Sequence, residues 1–248
     1  MIGFNGGLIG EKRTTSTNPS VPGVWTLNEQ VLVAGSAWPS SFPRNSLTLY
    51  LDAADPSSYP GTGTSWFDLS GNSYTGTLGN AVSYNSSLSG YFVFNGTSAS
   101  KVTFSTYSQP QYLTTTSFTW SIFMLLPSNQ GGNVILGNRQ PDLEFTKLTS
   151  SSLVYFPDSM SSTMPLNTWQ HICVVKNQTN FFYYRNGQQV ATMTSTDTKP
   201  SRPFGIGADP TGAEPTSCSI SQVLVYDRAL SQSEAVAIYN AFRSRYGI

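Results

Sequence analysis

The sequence predicts an all-β domain made of two packed sheets, and three observations support this fold class. From Ser46 onward, apolar and polar residues alternate in about a dozen short segments, which is the period of β-strands. Turn signals separate these segments, and no helical pattern lies between them. Charged residues make up only 10% of the chain, where about 25% is usual, and Ser, Thr, Asn and Gly replace them. Such a neutral, hydroxyl-rich surface argues against long surface helices.

The candidate strands are short and are bounded by Gly, Asn and Ser. In chain order they are SLTLYLDA, GYFVFNG, SKVTFS, SFTWSIFMLL, NVILG, DLEFTKL, SLVYF, TWQHICVVK, NFFYYR, QQVATM, FGIGA and CSISQVLVYD. The Asn186-Gly187 pair lies between two of them. Because a type I′ turn needs a positive φ at both central residues, this pair predicts a β-hairpin.

Two further segments precede the β domain, which covers residues 46–248. Residues 1–22 are rich in Gly, Ser, Thr and Pro and have no periodicity, so we expect an extended N-terminal arm. Residues 23–45 contain a T-x-x-E capping box at Thr26 and Glu29, followed by a Trp-Pro pair. This segment predicts one short N-terminal helix and a linker.

A second helix is predicted at the end of the chain. Ser231 and Glu234 have the spacing of a capping box, and Gly247 is placed to cap the other end. Residues four, three and four apart form one apolar stripe: Ala235, Tyr239, Phe242 and Tyr246. We expect this helix to seal one end of the sandwich.

Charge and hydropathy exclude two classes of partner. The 13 basic and 13 acidic residues cancel, and no dense Lys/Arg cluster exists, so no nucleic-acid partner is expected. No apolar run is long enough to span a bilayer, so no membrane partner is expected. The first twenty residues lack the features of a signal peptide, which predicts synthesis in the cytoplasm. Cys173 and Cys218 are then either free buried thiols or a disulfide, and a reducing compartment favours free thiols.

The only histidine, His171, is expected to be structural. A period of two places Trp169, His171 and Cys173 on one face of their strand. A single histidine among apolar residues on such a face is more often a hydrogen-bonded core residue than a catalyst.

Taken together, these motifs resemble the laminin-G-like, concanavalin A-like jelly-roll family. The residues that carry the resemblance are Trp169, His171, Tyr184, Asn186, Gly187, Ile220, Ser221, Tyr226, Asp227, Arg228, Ala229, Leu230, Ser231 and Glu234, with the segments 65–78 and 91–104 upstream. The resemblance spans residues 46–248 and implies a two-sheet antiparallel jelly-roll sandwich. It also implies that Trp169 and His171 are framework residues.

Catalysis is not expected, although some concanavalin A-like sandwiches are glycoside hydrolases. That chemistry needs two carboxylates about 5–5.5 Å apart for retention, or farther apart for inversion. The nearest pattern here is Asp142-Leu143-Glu144, whose acids share one strand face, but no third acid follows. No G-x-S-x-G motif exists, and His171 is the only histidine base. We therefore predict that the protein is not an enzyme.

Three loop residues with oxygen ligands are candidates for a calcium site, namely Asp68, Asn72 and Asp209. The alternative is local turn chemistry, because Asp and Asn side chains bond their own backbone in turns. No other cofactor is expected.

Four aromatic residues near turns are candidates for stacking against a sugar: Trp66, Tyr74, Tyr107 and Tyr112. The chain has 13 tyrosines and 14 phenylalanines, so most of its aromatic rings must form the core.

The leader from Gly3 to Pro39 resembles the leaders of structural proteins in tailed bacteriophages, including those of cyanobacteria. This resemblance implies a virion structural protein, either a capsid decoration protein or a tail or fibre component. Its partners would be other virion proteins or copies of itself. The residues expected to anchor it are Ile2, Phe4, Leu8, Ile9, Trp25 and Trp38. The alternative is an adhesin that binds host-surface glycans, and a glycosidase ranks below both.

Overall fold

The computed structural model describes residues 42–128, 131–138, 144–149, 152–155 and 162–248. The predicted arm, the short N-terminal helix and the Trp-Pro pair lie outside these residues. So do the six predicted anchoring residues, Ile2, Phe4, Leu8, Ile9, Trp25 and Trp38.

Sixteen strands lie in the described part of the chain. They are β1 (Leu47–Asp52), β2 (Ser65–Phe67), β3 (Thr75–Leu78), β4 (Val82–Asn85), β5 (Tyr91–Asn95), β6 (Val102–Ser108), β7 (Ser117–Leu125), β8 (Gly131–Gly137), β9 (Glu144–Thr149), β10 (Ser152–Tyr155), β11 (Ser162–Thr163), β12 (Trp169–Asn177), β13 (Asn180–Arg185), β14 (Gln188–Thr194), β15 (Pro203–Ile206) and β16 (Ser217–Tyr226). All of their named pairings are antiparallel.

The strands form two sheets, which confirms the predicted sandwich. The first sheet has the order β14-β13-β12-β7-β16-β5-β4. Strand β16 is long enough to pair with two strands along one edge, β5 through Ser217–Ile220 and β1 through Gln222–Tyr226. The second sheet has the order β11-β10-β9-β8-β15-β6-β3-β2.

The predicted hairpin joins β13 to β14. Asn186 and Gly187 have φ values of 49° and 75°, which are the positive values that a type I′ turn requires.

The core lies between the two sheets, and the central strands of the first sheet are also buried on their outer face. Along β7, the residues that face the core are Phe118, Trp120, Ile122 and Met124. The alternate residues Thr119, Ser121 and Phe123 point to the other face, yet each is fully buried. Because both faces are covered, this strand is apolar along most of its length.

The cover on that outer face is the C-terminal helix α1 (Gln232–Phe242) with the 3₁₀ turn Arg243–Tyr246 that follows it. The predicted capping box between Ser231 and Glu234 is present. The ring of Phe123 lies 5.8 Å from that of Phe242 and 5.0 Å from that of Tyr246. The helix therefore covers a sheet face, whereas the sequence suggested that it seals one end of the sandwich.

Both cysteines, Cys173 and Cys218, are buried free thiols, so the free-thiol alternative is confirmed. Burial raises the pKa of both thiols. Within the described part of the chain, no helix combines the length and apolar character that crossing a membrane requires.

Candidate functional site

His171 is a framework residue of the outer face of the first sheet. Its side chain is fully buried, and Nε2 lies 2.9 Å from the Oγ atom of Ser121 on β7. The imidazole stacks on Phe123, with ring centroids 4.6 Å apart, and faces Tyr239 of α1 at 6.0 Å. Burial lowers the pKa of His171 to about 3, because a charged imidazolium would lose its hydration. No carboxylate of the described residues bonds the ring, so the geometry offers no acid–base couple here.

The side chains of the calcium candidates Asp68 and Asn72 form hydrogen bonds with nearby backbone groups. Oδ1 of Asp68 accepts hydrogen bonds from the backbone N–H groups of Tyr50 and Ser70, both at 2.8 Å. The side-chain amide of Asn72 donates to the Thr48 carbonyl at 3.0 Å. This amide nitrogen is a donor, so Oδ1 is the only atom of the Asn72 side chain with the chemistry of a cation ligand.

The third calcium candidate, Asp209, is fully buried in its own turn. Its Oδ1 atom accepts from the backbone N–H and the hydroxyl of Thr211, at 2.8 and 2.6 Å. Across the described residues, no three His, Cys, Asp or Glu side chains cluster in a way that could hold a metal ion. The hydrogen bonds of these three residues are those that the turn alternative predicts, and a calcium site at them stays a prediction.

The predicted sugar-stacking rings belong to the core, which corrects that assignment for three of them. Trp66 and Tyr112 are almost completely buried, and Tyr107 is buried as well. Their rings pack on Phe92 at 4.7 Å, Phe181 at 5.6 Å and Phe204 at 5.3 Å, in that order. A ring enclosed in this way has no free face for a sugar. Tyr74 is half-buried, and its ring lies 4.9 Å from that of Tyr107.

In β2 and β3, solvent-exposed residues lie one position along the chain from the predicted sugar-stacking residues Trp66 and Tyr74. In β2, Trp66 points into the core, so Ser65 and Phe67 point outward, and Phe67 is 42% exposed. In β3, Leu78 faces the core and Thr77 is exposed. The sequence segment S-W-F has an aromatic residue on each face, and period two alone does not show which face is inside.

The strand register brings five outward-facing residues of β2, β3 and β6 together. Ser65 pairs with Thr77, and Thr77 pairs with Thr103 of β6, which forms a row of hydroxyls across three strands. Phe67 pairs with Thr75 in the neighbouring row. Paired residues share one face of a sheet. We name this surface the Phe67 patch, and it consists of Ser65, Phe67, Thr75, Thr77 and Thr103.

The hydroxyl groups of the Phe67 patch are available to a ligand. None of the four makes a side-chain hydrogen bond within the described residues. Thr75 and Thr77 are exposed, and Ser65 and Thr103 are half-buried. The patch therefore presents one aromatic ring beside four uncharged groups that can each donate and accept.

The backbone under Phe67 is held rigidly. Its N–H donates to the Ser58 carbonyl at 2.7 Å, and its carbonyl accepts from the Ser58 hydroxyl at 2.6 Å. The next residue, Asp68, is fixed by the turn described above. Asp68 thus helps to position the aromatic residue beside it.

The opposite border of the patch lies at Gly205 of β15, the residue that pairs with Thr103. A side chain at Gly205 would collide with the carbonyl of Ala208 and with Pro210. The turn at residues 208–210 therefore lies over β15 and limits the patch to strands β2, β3 and β6.

Comparison with known proteins identifies the family. The model of the concanavalin A-like lectin/glucanases superfamily, Laminin_G_3, matches residues 89–236, which is more than half of the chain. The chain belongs to this superfamily. No curated protein sequence matches it.

Several solved structures share the fold of this superfamily member. The binding domain of Paraclostridial Mosquitocidal Protein 1 has a TM-score of 0.61 and 17% identity, covering 80% of this chain and 53% of that one. The botulinum neurotoxin serotype D ligand-binding domain in complex with N-acetylneuraminic acid has a TM-score of 0.60 and 16% identity, covering 82% and 52%. Trypanosoma rangeli sialidase in complex with sialic acid has a TM-score of 0.59 and 15% identity, covering 80% and 33%. The chain thus spans about half of the two binding domains and a third of the sialidase, and the likeness shows the fold.

The superfamily name covers lectins and glucanases, so catalysis must be judged from the side chains of this member. Of the acids considered above, Asp142 lies outside the described residues, as does the side chain of Glu144. The buried carboxylate of Asp52 is closed off, because it bonds the side chains of Tyr50, Gln222 and Arg245. The Phe67 patch of this superfamily member consists of exposed and half-buried groups that carry no charge.

Proposed function

We propose that the jelly roll is a non-catalytic glycan-binding module and that the Phe67 patch is its binding surface. The observation that carries this proposal is the exposed Phe67 ring next to four hydroxyls that have no partner within the described residues. Sugars offer C–H faces that stack on aromatic rings and hydroxyls that exchange hydrogen bonds, so the patch is chemically complementary to them.

The structural neighbours support the same proposal. A botulinum neurotoxin binding domain with this fold was solved in complex with N-acetylneuraminic acid, and another with SialylT. A fold alone does not fix a function, so these complexes show only that the scaffold is compatible with a saccharide ligand. The assignment to this chain rests on its own exposed residues.

A direct binding measurement tests the proposal. The protein is screened on an immobilised glycan panel, and hits are titrated by calorimetry. We expect Phe67→Ala to weaken binding by about tenfold or more, which corresponds to about 1.4 kcal/mol. The matched control is Leu88→Ala, because Leu88 has the same 42% exposure but lies in the 3₁₀ turn before β5 of the first sheet. Equal affinities of the two variants would place the binding surface elsewhere.

We propose further that residues 1–22 and 23–45 anchor the jelly roll to a virion, to other virion proteins or to copies of itself. The observation in favour is the leader Gly3–Pro39, which resembles those of tailed-phage structural proteins. An anchored glycan-binding domain would serve attachment to a host, so the two proposals are compatible. Deletion of residues 1–22 should leave the jelly roll folded with a similar Tm but prevent incorporation into purified virions. Normal incorporation of the truncated chain would reject the arm as the anchor.

A further inference from the structure

We propose that the Phe67 patch selects uncharged saccharides and discriminates against acidic ones such as sialic acid. This inference rests on the proposed glycan-binding function and specifies its ligand class. It departs from the sialic acid found in structural neighbours of the chain.

The patch contains no group that can neutralise a carboxylate. Its members are Ser, Phe and three Thr residues, none of which ionises in the physiological range. A sugar carboxylate docked there would give up part of its hydration without gaining a charge-assisted hydrogen bond. Recognition of an anionic group ordinarily uses Arg or Lys, whose hydrogen bonds to carboxylates are about twice as strong as neutral ones.

Two charged residues lie next to the patch along the chain, Asp68 and Lys101. Asp68 directly follows Phe67, and its half-buried carboxylate is held by the N–H groups of Tyr50 and Ser70. Lys101 precedes Thr103 by two residues, and its ammonium group donates to the Ser98 carbonyl at 3.1 Å. The inference requires that this cation does not contact the bound sugar, which Lys101→Met tests.

The dimensions of the patch restrict the length of the ligand. Neighbouring strands lie about 4.8 Å apart, so the row from Ser65 through Thr77 to Thr103 spans roughly 10 Å. The turn at residues 208–210 closes the row on the β15 side. A row of this length accommodates one or two sugar rings, with Phe67 stacking at the edge.

The experiment compares neutral sugars with their acidic counterparts. The probes are lactose and 3′-sialyllactose, together with a panel of neutral hexose disaccharides and the matching uronic acid forms. Binding to the full chain is measured by calorimetry and by ligand-observed NMR at two salt concentrations. We expect at least a tenfold preference for a neutral sugar over its acidic counterpart, with an affinity that does not change with salt.

Variants connect this preference to the patch. Thr77→Val and Thr103→Val each remove one hydroxyl at nearly constant volume, and each should weaken neutral-sugar binding several-fold. Thr192→Val, on exposed Thr192 of β14 in the other sheet, is the matched control and should have no effect. Lys101→Met should also leave binding unchanged.

The outcomes separate this inference from the proposed function. Preferential binding of acidic sugars that is lost with Phe67→Ala or Lys101→Met overturns the neutral-sugar inference and retains glycan binding. Binding of no sugar on any panel overturns both. If neutral sugars bind equally well to the Phe67→Ala, Thr77→Val and Thr103→Val variants, the Phe67 patch is not the binding surface.

Discussion

The Nη1 atom of Arg245 lies 2.8 Å from the Oδ2 atom of Asp52 and joins the last turn of the chain to strand β1. Asp52 is completely buried and also accepts hydrogen bonds from the Tyr50 hydroxyl at 3.0 Å and the Gln222 amide at 2.9 Å. Because the pair bridges 193 positions of sequence, it ties the C-terminal segment to the outer face of the first sheet.

Removing the cation of this pair should destabilise the domain strongly. Arg245→Met leaves the buried carboxylate of Asp52 without its counter-charge, and breaking a buried pair in this way costs about 3–5 kcal/mol. Chemical denaturation followed by tryptophan fluorescence measures the change in the free energy of unfolding. Arg243→Met is the control, because Arg243 lies in the same turn but is exposed. We expect it to change stability by less than about 1 kcal/mol, and similar losses in both variants would contradict the role given to the buried pair.

Truncation of the helix residue Phe242 should also lower the free energy of unfolding of the domain. Its ring is fully buried against Phe123, so Phe242→Ala leaves a cavity and should cost about 3–5 kcal/mol. Phe67→Ala is the same substitution at a 42% exposed site and should cost less than about 1 kcal/mol. Thermal unfolding of both variants checks this difference. A large Tm loss for Phe67→Ala would also warn that its binding defect reflects misfolding.

Mild acid should weaken the fold through His171. Its folded-state pKa is about 3, below the ordinary value, so the unfolded chain binds the proton more readily. The stability that depends on the neutral ring is complete above about pH 6.5 and is lost as the pH falls toward 3. Between pH 7 and pH 5 the loss should be about 2 kcal/mol. Over the same pH range, the free energy of unfolding of the His171→Gln variant should fall by about 2 kcal/mol less than that of the original chain. Parallel curves for the two proteins would be inconsistent with a buried, neutral imidazole.

Lys176 should be a structural lysine whose removal loosens one loop. Its ammonium donates to the carbonyls of Leu113, Thr116 and Gln178 and lies 4.9 Å from the Tyr112 ring centroid. Burial lowers its pKa to about 8. Lys176→Met removes the donor from these acceptors and should cost about 1–3 kcal/mol.

Hydrogen exchange localises the effect of Lys176→Met. Amides near residues 113–118 should exchange faster in this variant than in the original chain. Lys101→Met is the control, since Lys101 is half-exposed and donates to one carbonyl. Unchanged exchange near residues 113–118 would show that the buried ammonium does not hold the loop.

Features that depend on near neighbours in sequence were predictable. The Ser231–Glu234 capping box and the Asn186-Gly187 hairpin are both present, because their hydrogen bonds and dihedral angles involve residues only a few positions apart. The two-sheet sandwich followed for the same reason, since strand periodicity and turn residues are local properties.

The candidate site was predictable only in part. Trp66 and Tyr74 lie beside Phe67 and Thr75, so the sequence identified the correct segment, 65–78, but the wrong side of β2. Neither β2 nor β3 was among the candidate strands. If the opposite face of a strand is turned toward the core, all of its buried and exposed residues are exchanged. Only the position of the opposing sheet determines which face is buried.

The sequence by itself determined most of the strands, the hairpin, the capped terminal helix and the lack of a dense Lys/Arg cluster, but it did not predict β2, β3, β4 and β11 as strands. Only the tertiary structure decided that α1 covers His171 on the outer face, that Arg245 neutralises Asp52, and that Phe67 faces solvent beside Ser65, Thr77 and Thr103. The physical reason is that hydrogen bonding within turns and helix ends acts between adjacent residues. Burial and charge pairing instead depend on segments that folding brings together from distant parts of the chain.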